Sequence, residues 1–90
     1  THPDVARTLL NLSVVQSRRG NLADARASID DAIARTRVSF GEEHLQVALC
    51  LRTSGDLHRK QQAWQAAHDD YRAALELRRR LRPDDGDAVF

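Results

Sequence analysis

Four histidines are the first residues in this sequence that could do chemistry, because an imidazole can ligate a metal ion or transfer a proton. His2 and His44 stand at equivalent places, each at the start of a predicted helix, while His58 and His68 fall on different predicted helices. Neither pair has the spacing at which two histidines on one helix face hold a metal ion. We therefore expect structural histidines and no metal site.

The serines and the single cysteine are the candidate nucleophiles. Ser13, Ser17 and Ser54 lack the glycine-flanked turn that exposes a hydrolase serine, and no His/Asp relay for them is evident in the sequence. Cys50 stands near the start of a predicted buried helix face, where cysteine usually packs as a small apolar residue. The sequence therefore predicts that the chain is not an enzyme and uses no cofactor.

Two acidic pairs, Asp30-Asp31 and Asp69-Asp70, could be imagined as acid/base dyads. Adjacent residues of a helix point about 100° apart, so neither pair can share one proton. Asp31 precedes Arg35 by one helical turn, which is the favourable orientation for an ion pair on a helix surface. We expect these carboxylates to be solvent-exposed.

The run from Arg78 to Arg82 is the one basic cluster and leaves nucleic-acid binding as an alternative. Cations at a helix C-terminus also complement the helix dipole, and Asp84, Asp85 and Asp87 follow to neutralise them. The whole chain carries 14 Lys+Arg against 13 Asp+Glu, a net charge of +1. That balance argues against a dedicated nucleic-acid or acidic-membrane binder, so we expect neither partner.

Length and composition indicate a small soluble domain or part of one. The chain has 90 residues, of which 41% are hydrophobic and 30% charged. It has no apolar run near the roughly 18 residues of a membrane span and no signal-peptide pattern. One cysteine cannot form an internal disulfide, which favours the reducing cytoplasm. The sequence begins at Thr1 without a methionine, and we expect it to be part of a longer protein.

An internal repeat organises the chain, and repeats of this length are typical of stacked helical units. A shift of about 42 residues superimposes small and apolar positions in both halves. The matched pairs are His2/His44, Val5/Val47, Ala6/Ala48, Leu9/Leu51, Ala25/Ala67 and Ala32/Ala74. We predict one unit over residues 1–41, a second over 42–83, and the start of a third over 84–90.

Each unit is predicted to contain two helices, because apolar residues recur at spacings of three and four between glycine or proline breaks. The helices are expected over about residues 3–19, 22–40, 44–61 and 63–82, with no strand, which makes the fold all-α. Alanines at seven-residue intervals should let neighbouring helices approach closely. The predicted core consists of Leu9, Leu12, Ala25, Ile29, Ala32, Leu51, Ala67, Tyr71 and Ala74.

These positions resemble the tetratricopeptide repeat, which orders a large apolar residue, leucine, a small residue and an aromatic, then alanine and an aromatic. The first unit offers Leu9, Leu12, Ser13, Gln16, Ala25, Ile29 and Ala32; the second offers Leu51, Ser54, Gly55, His58, Ala67, Tyr71 and Ala74. The long period and the opening His2-Pro3-Asp4-Val5-Ala6 resemble the variant of kinesin light chains and many bacterial multidomain proteins. Ser54, Gln16, His58 and Gln62 depart from the pattern.

The resemblance implies a right-handed α-α superhelix whose first helices line a concave binding face. That face would comprise Arg7, Leu10, Asn11, Val14, Arg18, Leu49, Arg52, Thr53, Asp56, Arg59 and Lys60. Asn11 matches an asparagine that bonds the backbone of a bound peptide in kinesin-like repeats, and Thr53 takes that place in the second unit. Leu10, Val14 and Asp56 occupy places that a carboxylate clamp would need, so an acidic-apolar ligand is expected instead.

The sequence therefore predicts a non-catalytic, cytoplasmic module that binds a protein or peptide within a larger multidomain protein. A structural or oligomerising spacer of a bacterial regulator, such as a kinase or signalling ATPase, is the alternative. Arginine-rich composition, with Lys60 as the single lysine, is typical of a GC-rich bacterial genome. The expected partners include neighbouring repeats and, through an uncovered end around Leu77 and Leu81, other copies of the chain.

Overall fold

Four α-helices form the part of the chain that the structure, a computed structural model, describes, residues 3–81. Their bounds are Pro3–Arg18 for α1, Leu22–Phe40 for α2, Leu45–Lys60 for α3 and Trp64–Leu81 for α4. Helices α1 and α2 pack as one antiparallel pair, and α3 and α4 as a second. α2 packs on α3, and α1 meets α3 over a narrower contact. The predicted all-α fold of two helical hairpins is confirmed.

The two hairpins repeat the same geometry along the chain. Helices α1 and α3, of 16 residues each, begin 42 residues apart. Helices α2, of 19 residues, and α4, of 18, also begin 42 residues apart. The residues predicted to begin a third unit, 84–90, lie outside the described part, as does His2. Within the described part, any residue of the first hairpin can be compared with its counterpart 42 positions later.

Both hairpins turn through the same backbone motif, in which the last helical carbonyls are capped by a left-handed residue. Its long hydrogen bond is present twice: Asn21 N–H to Gln16 C=O at 2.9 Å, and Ala63 N–H to His58 C=O at 2.8 Å. The left-handed residue is Gly20 (φ +83°) in the first turn and Gln62 (φ +63°) in the second. Because a β-carbon disfavours this conformation, Gln62 places strain in the second turn.

His44 joins the two hairpins. Its Nδ1 accepts a hydrogen bond from the Gln46 amide at 2.9 Å, so the imidazole caps the start of α3. The same ring stacks on Phe40, the last residue of α2, with ring centroids 4.2 Å apart. This histidine is therefore a structural residue of the junction.

Two apolar clusters form the core. The first joins both hairpins and contains Leu10, Ala25, Ile29, Ala32, Cys50 and Leu57. The second, between α3 and α4, contains Val47, Ala48 and Leu77. Ala67 and Ala74 are buried on α4, as Ala25 and Ala32 are on α2. These small residues allow the paired helices to approach closely.

Four predicted core residues lie at its edge or outside it. Leu12 is 43% exposed, because it points to the side of α1 that faces no other described helix. Leu9 and Leu51 are half-buried and pack against the rims of the two clusters. Tyr71 is also half-buried.

The prediction that Leu77 and Leu81 form an uncovered surface at the end of the stack is wrong. Leu77 is buried against Val47 and Ala48, since it lies on the face of α4 that turns toward α3. Leu81 is half-buried against the same cluster. The exposed apolar residues of α4 are Trp64 and Leu75 instead.

Candidate functional site

The first helices of the two hairpins, α1 and α3, contact each other, and each carries an exposed face of mixed polar and apolar residues. Four pairs of equivalent residues recur at spacings of four, three and four along the two helices: Arg7/Leu49, Asn11/Thr53, Val14/Asp56 and Arg18/Lys60. Six of the eight are exposed, and Val14 and Thr53 are half-buried. We call these eight residues the α1/α3 groove.

Positive charge dominates the α1/α3 groove. Arg7, Arg18 and Lys60 form no ion pair with any residue of the described part. Asp56 is the one acidic side chain among the eight, and its carboxylate accepts a hydrogen bond from Tyr71. The groove therefore offers three cations that no neighbouring carboxylate neutralises.

The two central polar residues of the groove differ in what they can offer a ligand. The Thr53 hydroxyl donates to the Leu49 carbonyl of its own helix at 3.1 Å. The Asn11 amide makes no hydrogen bond within the described residues, so both its donors and its acceptor remain available. Asn11 is thus the more versatile of the two equivalent positions.

One residue expected in the groove, Leu10, lies elsewhere. Leu10 is 5% exposed and belongs to the core, because it faces α3 and packs with Cys50 and Leu57. Arg52, its counterpart on α3, and Arg59 are exposed, and their charges act on the Tyr71 hydroxyl. They therefore lie near Tyr71 of α4, as the groove residue Asp56 also does.

Tyr71 links α4 to α3 at the surface of the second hairpin. Its hydroxyl donates to the Asp56 carboxylate. The pKa of Tyr71 is raised above its ordinary value, first by burial and then by the hydrogen bond and negative charge of Asp56. Arg59 and Arg52 lower the pKa and only partly offset these effects.

A polar network crosses from the first hairpin to the second. The Arg26 guanidinium of α2 lies 2.7 Å from Ser54 Oγ and 2.9 Å from His58 Nε2, both on α3. Ser54 Oγ and His58 Nδ1 each lie 2.7 Å from the same carboxylate oxygen of Asp70 on α4. Arg26 also pairs with Asp30 at 2.6 Å. We call Arg26, Ser54, His58 and Asp70 the inter-hairpin network.

The network brings together a serine, a histidine and an aspartate, but its geometry is not that of a nucleophilic triad. The Ser54 hydroxyl donates to Asp70, so His58 does not accept its proton. His58 Nε2 faces Arg26 instead. Ser54 is also buried. The grouping that the sequence did not reveal is therefore structural and does not contradict a non-catalytic chain.

Two departures from the repeat pattern are explained by this network. Ser54 stands where the pattern has leucine, and its small polar side chain admits the Arg26 guanidinium. His58 stands where the pattern has an aromatic and bonds Asp70. In the first hairpin the equivalents of Asp70 and His58 are Ser28 and Gln16, and they form one hydrogen bond, from the Ser28 hydroxyl to Gln16 at 2.7 Å. Asp70, expected to be exposed, is mostly buried by these contacts.

An open cleft of about 500 Å³ lies beside the inter-hairpin network. Its lining combines α2, α3 and α4: Arg26, Asp30, Ile33, Ala34, Arg37, Leu51, Ser54, His58 and Asp70. The charged groups there already have partners, including Arg37, which pairs with Glu42 at 3.1 Å. In the described part, no buried side-chain polar atom is left without a hydrogen bond. The cleft therefore has no unsatisfied group that calls for a ligand.

Cys50 is fully buried and approaches Thr36 Oγ1 at 3.7 Å. Burial raises the pKa of its thiol, and the Thr36 contact and the charge of Arg37 offset this only in part. A thiol in this state is a poor nucleophile. Across residues 3–81, no cluster of three or more potential metal ligands is found. None of the four helices is both long and apolar enough to cross a bilayer.

Comparisons with known proteins agree with the repeat geometry. The family model described as the tetratricopeptide repeat matches residues 1–80, which is most of the chain. A search of curated proteins gives no significant match.

Proposed function

This chain belongs to the tetratricopeptide repeat family, and we propose that it is a non-catalytic module that binds a protein or peptide in the α1/α3 groove. Repeats of this family generally bind protein or peptide partners and are typically non-catalytic. The proposal extends this general role to one surface of this chain.

The unpaired cations of the groove are the observation that carries the proposal. Arg7, Arg18 and Lys60 have no carboxylate partner in the described part, and exposed Leu49 lies on the same face. An extended acidic-apolar segment complements both features, because its carboxylates can pair with the cations while its apolar side chains cover Leu49. Asn11 would bond the backbone of that segment.

The subfamily, the cellular location and the parent protein of the chain are also proposals. We assign the chain to a long, kinesin-light-chain-like variant, because its helices repeat at 42 residues, with units at 1–41 and 42–83. We place it in the cytoplasm of a bacterium, within a larger protein, on its composition and its single cysteine.

A structural or oligomerising spacer is the second candidate. It is favoured by the exposed apolar residues at the two ends of the stack, such as Leu12 on α1 and Leu75 on α4. In that case the groove would have no ligand of its own, and only changes in the core or at the ends would affect the parent protein.

Fluorescence anisotropy with labelled synthetic peptides tests the groove. One peptide alternates Glu with Leu, and a second of equal length alternates Lys with Leu. We expect the acidic peptide alone to bind, with an affinity that falls as salt concentration rises. Replacing both Arg7 and Arg18 with Ala should weaken binding about fivefold, since each exposed ion pair contributes about 0.5 kcal/mol.

The matched control replaces Arg35 and Arg72 with Ala. These arginines lie on α2 and α4, outside the groove, and each pairs with an acid one turn away. The control changes net charge by the same amount and should leave peptide affinity unchanged. Equal weakening by both double variants would reduce the interaction to non-specific charge attraction and favour the spacer.

A further inference from the structure

An exposed stripe runs along α1 on the side opposite to its partners. Val5, Thr8, Leu12 and Val15 recur at spacings of three, four and three, so they share one helix face. All four are exposed, and the three apolar ones are 40–43% exposed. We call these four residues the α1 stripe.

The counterpart of the α1 stripe on α3 is completely covered. Val47, Cys50, Ser54 and Leu57 stand 42 positions later, and none is more than 3% exposed. Helix α2 covers most of that face, with Thr36 at Cys50 and Arg26 at Ser54, while Val47 packs with Leu77 of α4. The same four positions of the repeat are therefore an interface in one hairpin and are left uncovered by the described helices in the other.

Helix α4 carries the complementary surface. The covering face of α2 includes Leu22, Arg26, Ile33 and Thr36, and the counterparts on α4 are Trp64, His68, Leu75 and Arg78. Trp64 is 63% exposed and Leu75 is 47% exposed. We call these four residues on α4 the α4 stripe. No described helix covers it, because α4 packs only on α3.

We propose that two copies of this chain associate head to tail, with the α4 stripe of one copy packed on the α1 stripe of the next. The occupant is a second copy because the chain carries both halves of an interface that it already forms internally between α2 and α3. By that equivalence His68 meets Leu12 and Gln16, since Arg26 meets Ser54 and His58. Arg78 meets Thr8, since Thr36 meets Cys50.

The interface is heterologous, because the two surfaces that meet are different. Each copy keeps one free stripe after pairing, so association adds further copies in a row and does not stop at a dimer. None of the stripe residues belongs to the α1/α3 groove. The inference is therefore independent of the proposed function, and the groove stays open in the assembled copies.

Sedimentation velocity of the 90-residue chain over a wide range of concentration tests this arrangement. The wild type is expected to show a mass that rises with concentration above the 10.1 kDa of one chain. Leu12→Glu blocks the α1 stripe and Leu75→Glu blocks the α4 stripe, and each variant alone stays monomeric. Both sites are exposed, and circular dichroism checks that helicity is retained.

Sedimentation of a mixture of the two variants tests the head-to-tail arrangement most directly. Leu12→Glu keeps an intact α4 stripe and Leu75→Glu keeps an intact α1 stripe, so the mixture forms a 1:1 complex that grows no further. The control Val38→Glu, at a 74% exposed site of α2, associates like the wild type. A wild type that stays monomeric at every concentration overturns the proposal. So does a Leu12→Glu variant that associates normally, or a mixture of the two variants that stays monomeric.

Discussion

The ring of Tyr71 on α4 lies directly against the backbone of Gly55 on α3. A β-carbon at Gly55 would stand 2.8 Å from ring atom Cε1, closer than packed carbon atoms approach. The first hairpin has Ser13 and Ile29 at the same two positions, both buried. In the second hairpin, the larger residue Tyr71 on α4 is thus paired with the smaller residue Gly55 on α3.

Gly55→Ser should destabilise the chain by about 1–3 kcal/mol, because the new side chain overlaps the Tyr71 ring. Tyr71→Ile in the same molecule should recover part of that loss, since it recreates the Ser13 and Ile29 pair of the first hairpin. Urea unfolding followed by circular dichroism measures both effects. A Gly55→Ser variant as stable as the wild type would show that the close approach is not restrictive.

Stability should fall at high pH as Tyr71 ionises. The pKa of Tyr71 is raised in the folded chain by burial and by Asp56, so folding favours the protonated phenol. Its contribution to stability is complete below the ordinary value of 10.0 and is lost as pH rises through the higher folded value. Tyr71 is the one tyrosine, so the ultraviolet absorbance change that accompanies phenol ionisation follows it directly.

Asp56→Asn is the matched variant for that titration. It removes the negative charge that helps to raise the Tyr71 pKa, so the absorbance midpoint should move to lower pH. A midpoint that does not move would mean that Asp56 and Tyr71 are not in contact.

Arg26 and Asp70 should be energetically coupled although they do not bond each other. Both bond Ser54 and His58, so removing either leaves the same two side chains partly unpaired. Asp70→Ala should cost about 1–3 kcal/mol of unfolding free energy. Adding Arg26→Ala should cost less than it does in the wild type, with a coupling of about 0.5 kcal/mol or more.

The control for that cycle pairs Arg35→Ala with Asp70→Ala. Arg35 bonds Asp31 and no member of the inter-hairpin network, so its effect should be additive to that of Asp70. Additive effects of Arg26 and Asp70 in urea unfolding would mean that the network does not act as a unit.

Gln62→Gly should stabilise the chain by about 0.5–1 kcal/mol, because Gln62 has a left-handed φ of +63° that glycine adopts without strain. The neighbouring change Gln61→Gly is the control, since Gln61 has an ordinary φ of −83° and gains nothing from glycine. Urea unfolding midpoints compare the two. The turn would be unstrained if both substitutions had the same effect.

Periodicity within the sequence is enough to predict the helices and their pairing. Apolar residues at spacings of three and four, with alanines such as Ala25 and Ala67, indicate which helix faces are buried in each hairpin. The same pattern cannot tell which neighbour a face meets. The sequence predicts Leu10 in the groove and Leu12 in the core, but Leu10 packs in the core and Leu12 is exposed in the α1 stripe, because the packing of α1 on α3 decides which face is buried.

The inter-hairpin network is hidden from the sequence for a related reason. Arg26 lies 28 positions before Ser54, and nothing local connects them. Ser54 and His58 each depart from the repeat pattern and stand one helical turn apart. A single polar residue at an apolar position of the repeat indicates little. Two of them on the same helix face indicate that a polar interface replaces an apolar one.

Binding in the α1/α3 groove is the central claim, and NMR chemical-shift mapping tests it most directly. The chain is labelled with ¹⁵N and titrated with the synthetic peptide that alternates Glu with Leu. The account predicts that the largest amide shifts fall on α1 and α3 around Arg7, Asn11, Leu49 and Thr53, with α2 and α4 unaffected. Shifts confined to α2 and α4, or no shifts at all, would contradict the groove as the binding surface.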